Sequence, residues 1–206
     1  MRYTGPRNRI ARREGVDLGF KTLGSKNHER LLKKLNVPPG QHGTSRRRKQ
    51  SDHGRQLREK QKLRMLFMVS EKQLKKYFTE ASFKKGNTAV YLGNSLEKRL
   101  DNLLYRAGMS PTRASARQLV VHGHIKVNDK VMSVPSYQVK KADIITFSKD
   151  TSAKIPYIEK VLTNKDLVVP KWIEKKASIF KLVDEPTNDE IDKQINLRLV
   201  IEHYSR

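Results

Sequence analysis

The spacing of apolar residues between Leu96 and Phe147 constrains the fold more than any other feature of the sequence. Apolar side chains first recur three and four residues apart, the period of one helix face, at Leu96, Leu100, Leu103, Leu104 and Ala107. Beyond Gly123 they alternate around the pair Asn128-Asp129, at Ile125, Val127 and Val131. Alternation around such a pair is typical of a β-hairpin. This order of periods predicts an α+β chain.

Local end signals divide this stretch into elements. Asn94 with Glu97 predicts a capping box at the start of the first helix, and Gly108 predicts its left-handed cap. The pair Ser110-Pro111 predicts the N-cap and first residue of a second helix, which Gly123 ends. The inward residues of that helix would be Ala114, Leu119 and Val120. Further strand residues are Val139, Ile144, Ile145 and Phe147. Residues 96–147 are therefore predicted to form a helix–helix–hairpin–strand unit.

The flanking segments show other patterns. Residues 1–50 carry glycine and proline among basic residues, which is loop composition. We expect a basic arm that is partly ordered by the apolar residues Leu18, Phe20, Leu23, Leu31, Leu32 and Leu35. A helix is predicted from Ser51, with an apolar face at Leu57, Leu63, Leu66 and Phe67. Ser70 with Gln73 predicts the capping box of the next helix, whose buried stripe would be Leu74, Tyr77, Phe78 and Ala81. The run 197–202 (LRLVIE) predicts a buried terminal strand.

Positive charge is concentrated in the first half of the chain. The net charge is +23, and +17 of it, from 24 basic and 7 acidic residues, lies in residues 1–95. Residues 96–147 add +5 and residues 148–206 add +1. A protein gains nothing in solubility from such asymmetry, whereas a protein seated on a polyanion gains affinity. Nucleic acid is therefore the expected partner, and an anionic membrane surface is the alternative.

Composition excludes several classes of protein. The chain has no cysteine, which excludes a disulfide framework, thiol catalysis and cysteine-ligated zinc, and suits a reducing compartment. No run approaches the roughly 18 consecutive apolar residues that a membrane span requires. Residues 1–13 hold five arginines and no apolar core, so they are not expected to be a secretory signal.

Two basic surfaces are candidate binding sites. A glycine-rich turn is followed by four adjacent cations, which require a nearby anion or solvent: Arg46, Arg47, Arg48 and Lys49. On the second predicted helix, Arg113 and Arg117 lie four residues apart on a face that is expected to be exposed. Gln118 lies at the edge of this face, and the hairpin extends it with His122, His124 and Lys126. Such a face suits contacts to the phosphates and 2′-hydroxyls of folded RNA.

Signals for an enzyme are weak. His122 and His124 suggest a metal, but no cysteine or carboxylate cluster completes a site, so we predict neither metal nor cofactor. Phosphate-binding glycine motifs and the nucleophile elbow GxSxG do not occur in the sequence. The triplet Arg99-Leu100-Asp101 resembles the Arg-Leu-Asp of some RNA pseudouridine synthases. Here it falls within an amphipathic helix, so Asp101 is expected to cap or pair on that helix.

Seven stretches together resemble one family. In chain order they are RYTGPRNRIARREG, PPGQHG, SDHGRQLREKQKLR, EKRLDNLLYRAG, TRASARQLVVHGHIKVND, VPSYQVKKADII and LVIEHYSR. In this order and spacing, over nearly the whole length, they resemble bacterial-type small-subunit ribosomal protein S-four (S4). Residues 96–147 also resemble the RNA-binding module named after this family, which recurs in some tRNA synthetases and RNA-modifying enzymes. Those enzymes carry a catalytic domain for which this chain has no room.

The resemblance implies a structural, non-catalytic constituent of the small ribosomal subunit in the cytoplasm. Family members bind the 5′ domain of 16S-type rRNA early, nucleate assembly of the subunit body and lie near the channel by which mRNA enters. They contact ribosomal protein S-five, a contact linked to translational accuracy, and S-three and S-twelve are further candidate neighbours. By similarity, the residues nearest incoming mRNA would be Arg46, Arg47, Arg48 and Lys49.

The resemblance also implies an architecture and a set of contacts. A basic arm would occupy 1–50, and a helical first domain would occupy 51–95 plus 190–206, completed by the C-terminal strand. An inserted second domain at 96–189 would hold the RNA-binding module at 96–147. The candidate rRNA-binding residues are then Arg2, Tyr3, Arg7, Arg9, Arg12, Arg13, Gln41, His42, Arg55, Arg58, Lys60, Arg99, Arg113, Arg117, Gln118, His122, His124 and Lys126.

The chain departs from the family pattern in two places. Some relatives bind zinc through cysteines in the N-terminal segment, and this chain has none, so packing and RNA must hold its arm. The family hairpin usually turns on Asn-Gly, whereas this one has Asn128-Asp129. Aspartate adopts the left-handed backbone of such a turn at some energetic cost.

Two rival functions belong to other classes. An RNA-modifying enzyme built on the same module would depend on Asp101. A basic protein of anionic membranes would need an amphipathic helix with exposed aromatic residues, whereas the apolar residues here are expected in the core. We therefore predict a ribosomal RNA-binding protein.

Overall fold

The structure is a computed structural model that describes residues 3, 5–45, 49–163, 169–176, 179–186, 191 and 194–205. The chain divides into two compact units, Met1–Gly93 with Asn188–Arg206 and Asn94–Thr187. The first unit includes residues 1–50. The chain is α+β, as predicted.

The first unit is built from helices. They include α1 (Arg7–Glu14), α2 (Lys26–Lys33), α3 (Asp52–Leu66) and α4 (Glu71–Ser82), and α5 (Thr88–Glu97) begins here and ends in the second unit. The predicted capping box of α4 is present, because the backbone N–H of Gln73 donates to Ser70 Oγ and that of Ser70 donates to Gln73 Oε1. On the predicted face of α3, the buried residues are Leu63, Leu66 and Phe67, and Leu57 is exposed.

The N-terminal segment is more regular than its glycine and proline content predicts. It contains α1 and α2. Of its expected apolar anchors, the buried ones are Leu18, Phe20 and Leu31, and the exposed ones are Leu23 and Leu32. Polar pairs help to order it: Nε2 of His28 lies 2.7 Å from Oδ2 of Asp17, and Nη1 of Arg58 lies 3.0 Å from Oε1 of Glu14. Hydrophobic periodicity does not reveal such pairs.

The second unit combines helices with an antiparallel sheet. Within the described residues the sheet has five strands in the order β2-β1-β3-β5-β4. The strands are β1 (Ile125–Val127), β2 (Lys130–Val131), β3 (Ile144–Phe147), β4 (Ile173–Lys176) and β5 (Ile179–Leu182). The helices are α6 (Leu100–Arg106), α7 (Arg113–Val121), α8 (Asp150–Ala153) and α9 (Pro156–Leu162). One face of the sheet joins the apolar core with α6 and α7, through Ile125, Ile145 and Phe180.

The single helix that was predicted over 96–107 is in fact two helices. The first, α5, ends at Glu97 and contains Asn94 in its interior, so the predicted cap at Asn94 is wrong. Arg99 is extended, with φ −63° and ψ 135°, before α6 begins. At this point the backbone forms 2.9 Å hydrogen bonds with residues 137 and 139. Pairing with a distant segment therefore overrides the local helical pattern.

The start of α7 also differs from the prediction. Thr112, rather than Ser110, is the N-cap, and its hydroxyl accepts a hydrogen bond of 3.2 Å from the backbone N–H of Ser115. The first helical residue is Arg113. Both predicted glycine ends are confirmed, because Gly108 and Gly123 adopt positive φ angles of 72° and 71° after α6 and α7.

The predicted hairpin is confirmed between β1 and β2. Asn128 and Asp129 have φ angles of 48° and 64°, the left-handed values that a two-residue turn requires. The Asn128 amide donates to Asp143 Oδ1 at 2.8 Å, and its oxygen accepts from the backbone N–H of Ile144 at 3.0 Å. The turn is therefore tied to the start of β3 by a side chain as well as by the strand ladder.

The chain ends in a helix, α10 (Leu197–Tyr204), so the predicted terminal strand is wrong. Asn196 caps this helix by accepting hydrogen bonds from the backbone N–H groups at positions 198 and 199. Leu197 and Val200 are buried three residues apart, and α10 packs against α3. A short apolar run fits a strand and a buried helix equally well, and here the cap and the packing favour the helix.

Candidate nucleic-acid interface

A polar concavity in the first unit lies beside α1 and the start of α3. It is lined by Arg13, Gln50, Ser51, Gly54, Leu57, Arg58 and Gln61. Ser51 caps α3 by accepting a hydrogen bond of 3.2 Å from the backbone N–H of Gly54, and the N-terminus of this helix adds a partial positive charge. Guanidinium, amide, hydroxyl and helix terminus are all groups that bind phosphate oxygens, although Arg58 also pairs with Glu14. The concavity therefore suits a phosphate of a nucleic-acid backbone.

The arginines of α1 divide into two kinds. Arg9 and Arg13 are exposed and four residues apart, so both lie on the solvent side of the helix. Arg12 instead binds its own unit, with its Nε donating to the Val37 carbonyl at 2.9 Å and its Nη2 to the Pro38 carbonyl at 3.1 Å. Arg7 is partly buried. Of the four, Arg9 and Arg13 are the best placed to contact RNA.

Other predicted contact residues of the first unit lie at the surface or outside the described part of the chain. The exposed ones are Tyr3, Gln41, His42, Lys49 and Arg55. The predicted residues that lie outside the described residues are Arg2, Arg46, Arg47 and Arg48.

Lys60 is buried rather than exposed. Its ammonium lies 2.9 Å from Oε1 of Glu71 on α4, and the Tyr204 hydroxyl of α10 donates to the same oxygen at 2.7 Å. Burial by itself would raise the pKa of Glu71. The hydrogen bonds donated by Lys60 and Tyr204, with the charges of Lys60 and Arg64, have the larger effect. The pKa of Glu71 therefore lies below its usual value. Lys60 thus joins α3, α4 and α10.

In the second unit, Arg99 is buried and forms an ion pair with Asp101. Its Nε donates to Oδ1 of Asp101 at 3.0 Å, and its Nη2 donates to Oδ2 at 2.7 Å. Arg117 adds a third contact, with Nη1 at 3.4 Å from Asp101 Oδ2. The predicted pairing of Asp101 is therefore confirmed. Asp101 is only 4 % exposed, so its carboxylate belongs to this buried pair.

A second polar network surrounds the start of α6. Glu97 accepts two hydrogen bonds from Arg106, at 3.1 and 2.7 Å, and one from the Asn102 amide. Asn102 Oδ1 in turn accepts from Nε of Arg113 at 2.8 Å. The guanidinium of Arg113 lies 4.4 Å from the centre of the Tyr105 ring. Burial, with the charge of Arg106, lowers the pKa of Arg113 to about 10, so it stays protonated at neutral pH.

The expected exposure of Arg113 is therefore wrong. Arg113, Ala116 and Val120 are all buried and lie three and seven residues apart along one stripe of α7, and that stripe faces inward. Ala114, which was predicted to point inward, is only partly buried. The guanidinium of Arg113 is stable on this inward face because Asn102 accepts its hydrogen bond and the ring of Tyr105 lies beside it.

The outer side of α7 and the hairpin retain the other predicted residues. Gln118 and His122 are exposed, and Arg117 is partly exposed. His124 is fixed by a 3.0 Å hydrogen bond between Nδ1 and the buried Ser152 hydroxyl. Lys126 is partly exposed on β1, between the inward side chains of its neighbours. These residues form the polar face of α7 and the hairpin.

Four guanidinium groups belong to the two networks. Arg99 and Arg117 contact Asp101, Arg106 contacts Glu97, and Arg113 donates to Asn102. These contacts hold α6 and α7 together behind the polar face.

Two findings on the described part of the chain concern metal ligands and membrane spans. The rings of His122 and His124 lie 6.1 Å apart, but no group of three histidine, aspartate or glutamate side chains there could hold a metal ion. Among the helices that the structure describes, none has the length and apolar character that crossing a bilayer requires.

Sequence reasoning missed one basic surface. The exposed side of α4 carries Lys72, Lys75 and Lys76, and the turn after it carries Phe83, Lys84 and Lys85, all exposed. The signal was available, because these lysines recur three and four residues apart opposite the apolar stripe of the helix.

Comparison with known proteins assigns both parts of the chain. Residues 2–97 match the family model described as the ribosomal protein S4/S9 N-terminal domain, and residues 98–145 match the S4 domain. The chain is 41 % identical to the small ribosomal subunit protein uS4 of Cupriavidus pinatubonensis and 42 % identical to that of Francisella tularensis subsp. novicida. Both alignments cover 100 % of this chain and 99 % of the relative.

These relatives are ribosomal proteins rather than enzymes, and the S4 domain is an RNA-binding domain. The match extends over both compact units, and it agrees with the helical first unit and the helix–hairpin–sheet arrangement of the second. The chain belongs to the uS4 family of small ribosomal subunit proteins.

Proposed function

We propose that this protein binds the 5′ domain of 16S-type rRNA and nucleates assembly of the body of the small subunit. Membership in the uS4 family and the presence of an S4 domain support the ribosomal role. The observation that carries rRNA binding is the placement of Arg9 and Arg13 on one exposed side of α1, beside the polar concavity at the start of α3.

Binding would combine two physical contributions. Exposed cations of the first unit neutralise phosphates and release counterions, which supplies most of the affinity and makes it depend on salt. The polar face of α7 and the hairpin contributes shape-dependent contacts to phosphates and 2′-hydroxyls, chiefly through Arg117, Gln118, His122 and Lys126. Arg99 and Arg113 would support this face from inside rather than touch RNA.

The test is rRNA binding by a pair of charge-matched variants. Arg9→Ala with Arg13→Ala removes two cations from the proposed interface. Lys154→Ala with Lys160→Ala removes two exposed cations from the last third of the chain, whose net charge is +1. Each lost phosphate contact should reduce the slope of log affinity against log salt by about 0.7–0.9. We expect the arginine variant to lose roughly twice that slope and the lysine variant to keep the wild-type slope.

The opposite pattern would contradict the proposal. If both variants lost the same slope, only total charge would matter. If neither lost slope, the exposed side of α1 would not contact the RNA backbone.

We further propose that the segment around Lys49 lies near the channel by which mRNA enters, that the protein contacts ribosomal protein S-five, and that it thereby contributes to translational accuracy. The family membership and the exposed position of Lys49 support this placement. Because the chain has no cysteine, Lys49→Cys introduces a unique attachment point for a photocrosslinker in assembled subunits. Crosslinks to mRNA from position 49, and none from a Lys154→Cys control, are expected. Crosslinks to rRNA alone would contradict the proposal.

A further inference from the structure

Phe83 is the most exposed large apolar side chain in the described part of the molecule. Its relative exposure is 84 %, compared with 61 % for Leu23 and less for the others. It follows α4 directly and is succeeded by two exposed lysines, Lys84 and Lys85. The family assignment and the rRNA surfaces described above do not use it.

The turn that carries Phe83 is held by specific contacts. The Tyr91 hydroxyl donates to the Lys85 carbonyl at 3.1 Å, and the Lys84 ammonium lies 5.3 Å from the centre of the Tyr91 ring. Gly86 adopts a φ of +127°, and a Cβ there would approach the Tyr91 ring to 3.2 Å. The positive φ favours glycine at this position, and a Cβ would require the ring to shift slightly. The backbone N–H of Phe83 also donates to the carbonyl at position 79 at 3.3 Å, so the ring projects from an ordered turn.

The surroundings of the ring are strongly basic. The exposed side of α4 and the turn contribute Lys72, Lys75, Lys76, Lys84 and Lys85. The one acidic side chain on this side, Glu80, lies 3.8 Å from Lys76. A single aromatic ring within a field of lysines complements a polyanion that also offers flat apolar surfaces. Single-stranded nucleic acid has both properties, because its phosphates meet lysines and its unpaired bases stack on aromatic rings.

We propose that Phe83 is a stacking site for an unpaired base of RNA, with Lys84 and Lys85 holding the neighbouring phosphates. The inference rests on the proposed rRNA binding and adds to it a site for a single-stranded or bulged segment. A membrane surface fits less well, since insertion needs a continuous apolar face and the neighbours of Phe83 are Ser82 and Lys84. A duplex stem would fit poorly, because its bases are already stacked.

The first experiment measures equilibrium binding of the full chain to the 5′ domain of small-subunit rRNA across a salt series. Phe83→Ala should weaken binding by about 5- to 150-fold, the range found for loss of one base–aromatic stack, and it should leave the salt slope unchanged because no charge is removed. Phe83→Tyr should restore most of the affinity. Leu23→Ala is the control, because it shortens another exposed apolar side chain that lies outside the proposed stacking site. This variant should bind as the wild type does.

The second experiment places a reporter at the site. Phe83→Trp adds an exposed indole, while the single natural tryptophan, Trp172, is 6 % exposed and supplies a constant background. Single-stranded oligoadenylate and the 5′ domain should quench the added fluorescence, and a blunt duplex of equal charge should not. Because Phe83 is almost fully exposed, these variants should fold as the wild type does, which circular dichroism checks.

The outcomes separate this inference from the proposed function. Tight wild-type binding to the 5′ domain with equal binding by Phe83→Ala would overturn the stacking site and leave the proposed function intact. Absence of any wild-type preference for the 5′ domain would overturn both. A blue shift of the added tryptophan with anionic phospholipid vesicles, without quenching by RNA, would show that the ring meets a membrane instead and would also overturn the inference.

Discussion

Replacing Arg113 with alanine should destabilise the second unit instead of merely removing an RNA contact. The substitution takes away the 2.8 Å hydrogen bond to Asn102 and the guanidinium that lies 4.4 Å from the Tyr105 ring centre. Loss of a donor to a buried polar group costs about 1–3 kcal/mol, and a desolvated cation–π contact contributes about 1–2 kcal/mol. Burial of the charged guanidinium and repulsion from Arg106 both lower the pKa of Arg113, and their relief in the variant offsets part of this cost. The expected net loss is about 2–3 kcal/mol.

The chain offers a clean probe for this measurement. Its only tryptophan, Trp172, lies in the apolar core of the second unit, so its fluorescence during urea unfolding reports on the unit that contains Arg113. A loss of this size corresponds to a fall in Tm of roughly 10–20 °C for a unit of this length. Arg117→Ala is the matched control. It removes a partly exposed cation 3.4 Å from Asp101, which keeps Arg99 as its partner, so it should cost less than about 1 kcal/mol.

The two variants also distinguish a buried Arg113 from an exposed one. If Arg113→Ala unfolded at the same urea midpoint as Arg117→Ala and lost RNA affinity to the same degree, then Arg113 would be a surface contact. The buried network around Asn102 would then contribute nothing measurable to stability.

Three further predictions concern the fold. Asn128→Ala removes the hydrogen bond to the buried Asp143 and should destabilise the second unit by about 1–2 kcal/mol. Asp129→Gly relieves a φ of 64° and should stabilise this unit by about 0.5–1 kcal/mol. Unfolding in urea, followed by Trp172 fluorescence, measures both changes. Folding lowers the pKa of Glu71, so its contribution to stability is present above the pKa of the unfolded carboxyl and is lost as pH falls through the folded value. Glu71→Gln should therefore flatten the decline of the urea midpoint, followed by far-ultraviolet circular dichroism, below about pH 4.5.

The features that sequence predicted well depend on neighbouring residues. The capping box of Ser70 and Gln73, the glycine ends at Gly108 and Gly123, and the left-handed turn at Asn128-Asp129 each involve contacts within a few positions. Residue types with strong backbone preferences carry such signals directly. The concentration of positive charge in residues 1–95 was equally visible, because charge is a property of composition.

The features that sequence missed depend on partners far along the chain. Arg99 interrupts a regular helical pattern because its neighbours pair with residues 137–139. The buried position of Arg113 requires Asn102 and Tyr105, which lie on another helix. The C-terminal segment is a helix because it packs against α3, more than a hundred residues earlier. Periodicity within one segment contains no information about these partners, so an arginine on an apolar stripe was assigned to solvent.

The most direct test of the central claim is equilibrium binding of the full chain to the 5′ domain of small-subunit rRNA and to an unrelated structured RNA of equal length, across a salt series. We expect a steep salt dependence for both RNAs and a preference for the 5′ domain that persists as salt rises, because shape-dependent contacts are screened less than the phosphate contacts. Equal affinity for both RNAs at every salt concentration would contradict it and would leave only a nonspecific polycation.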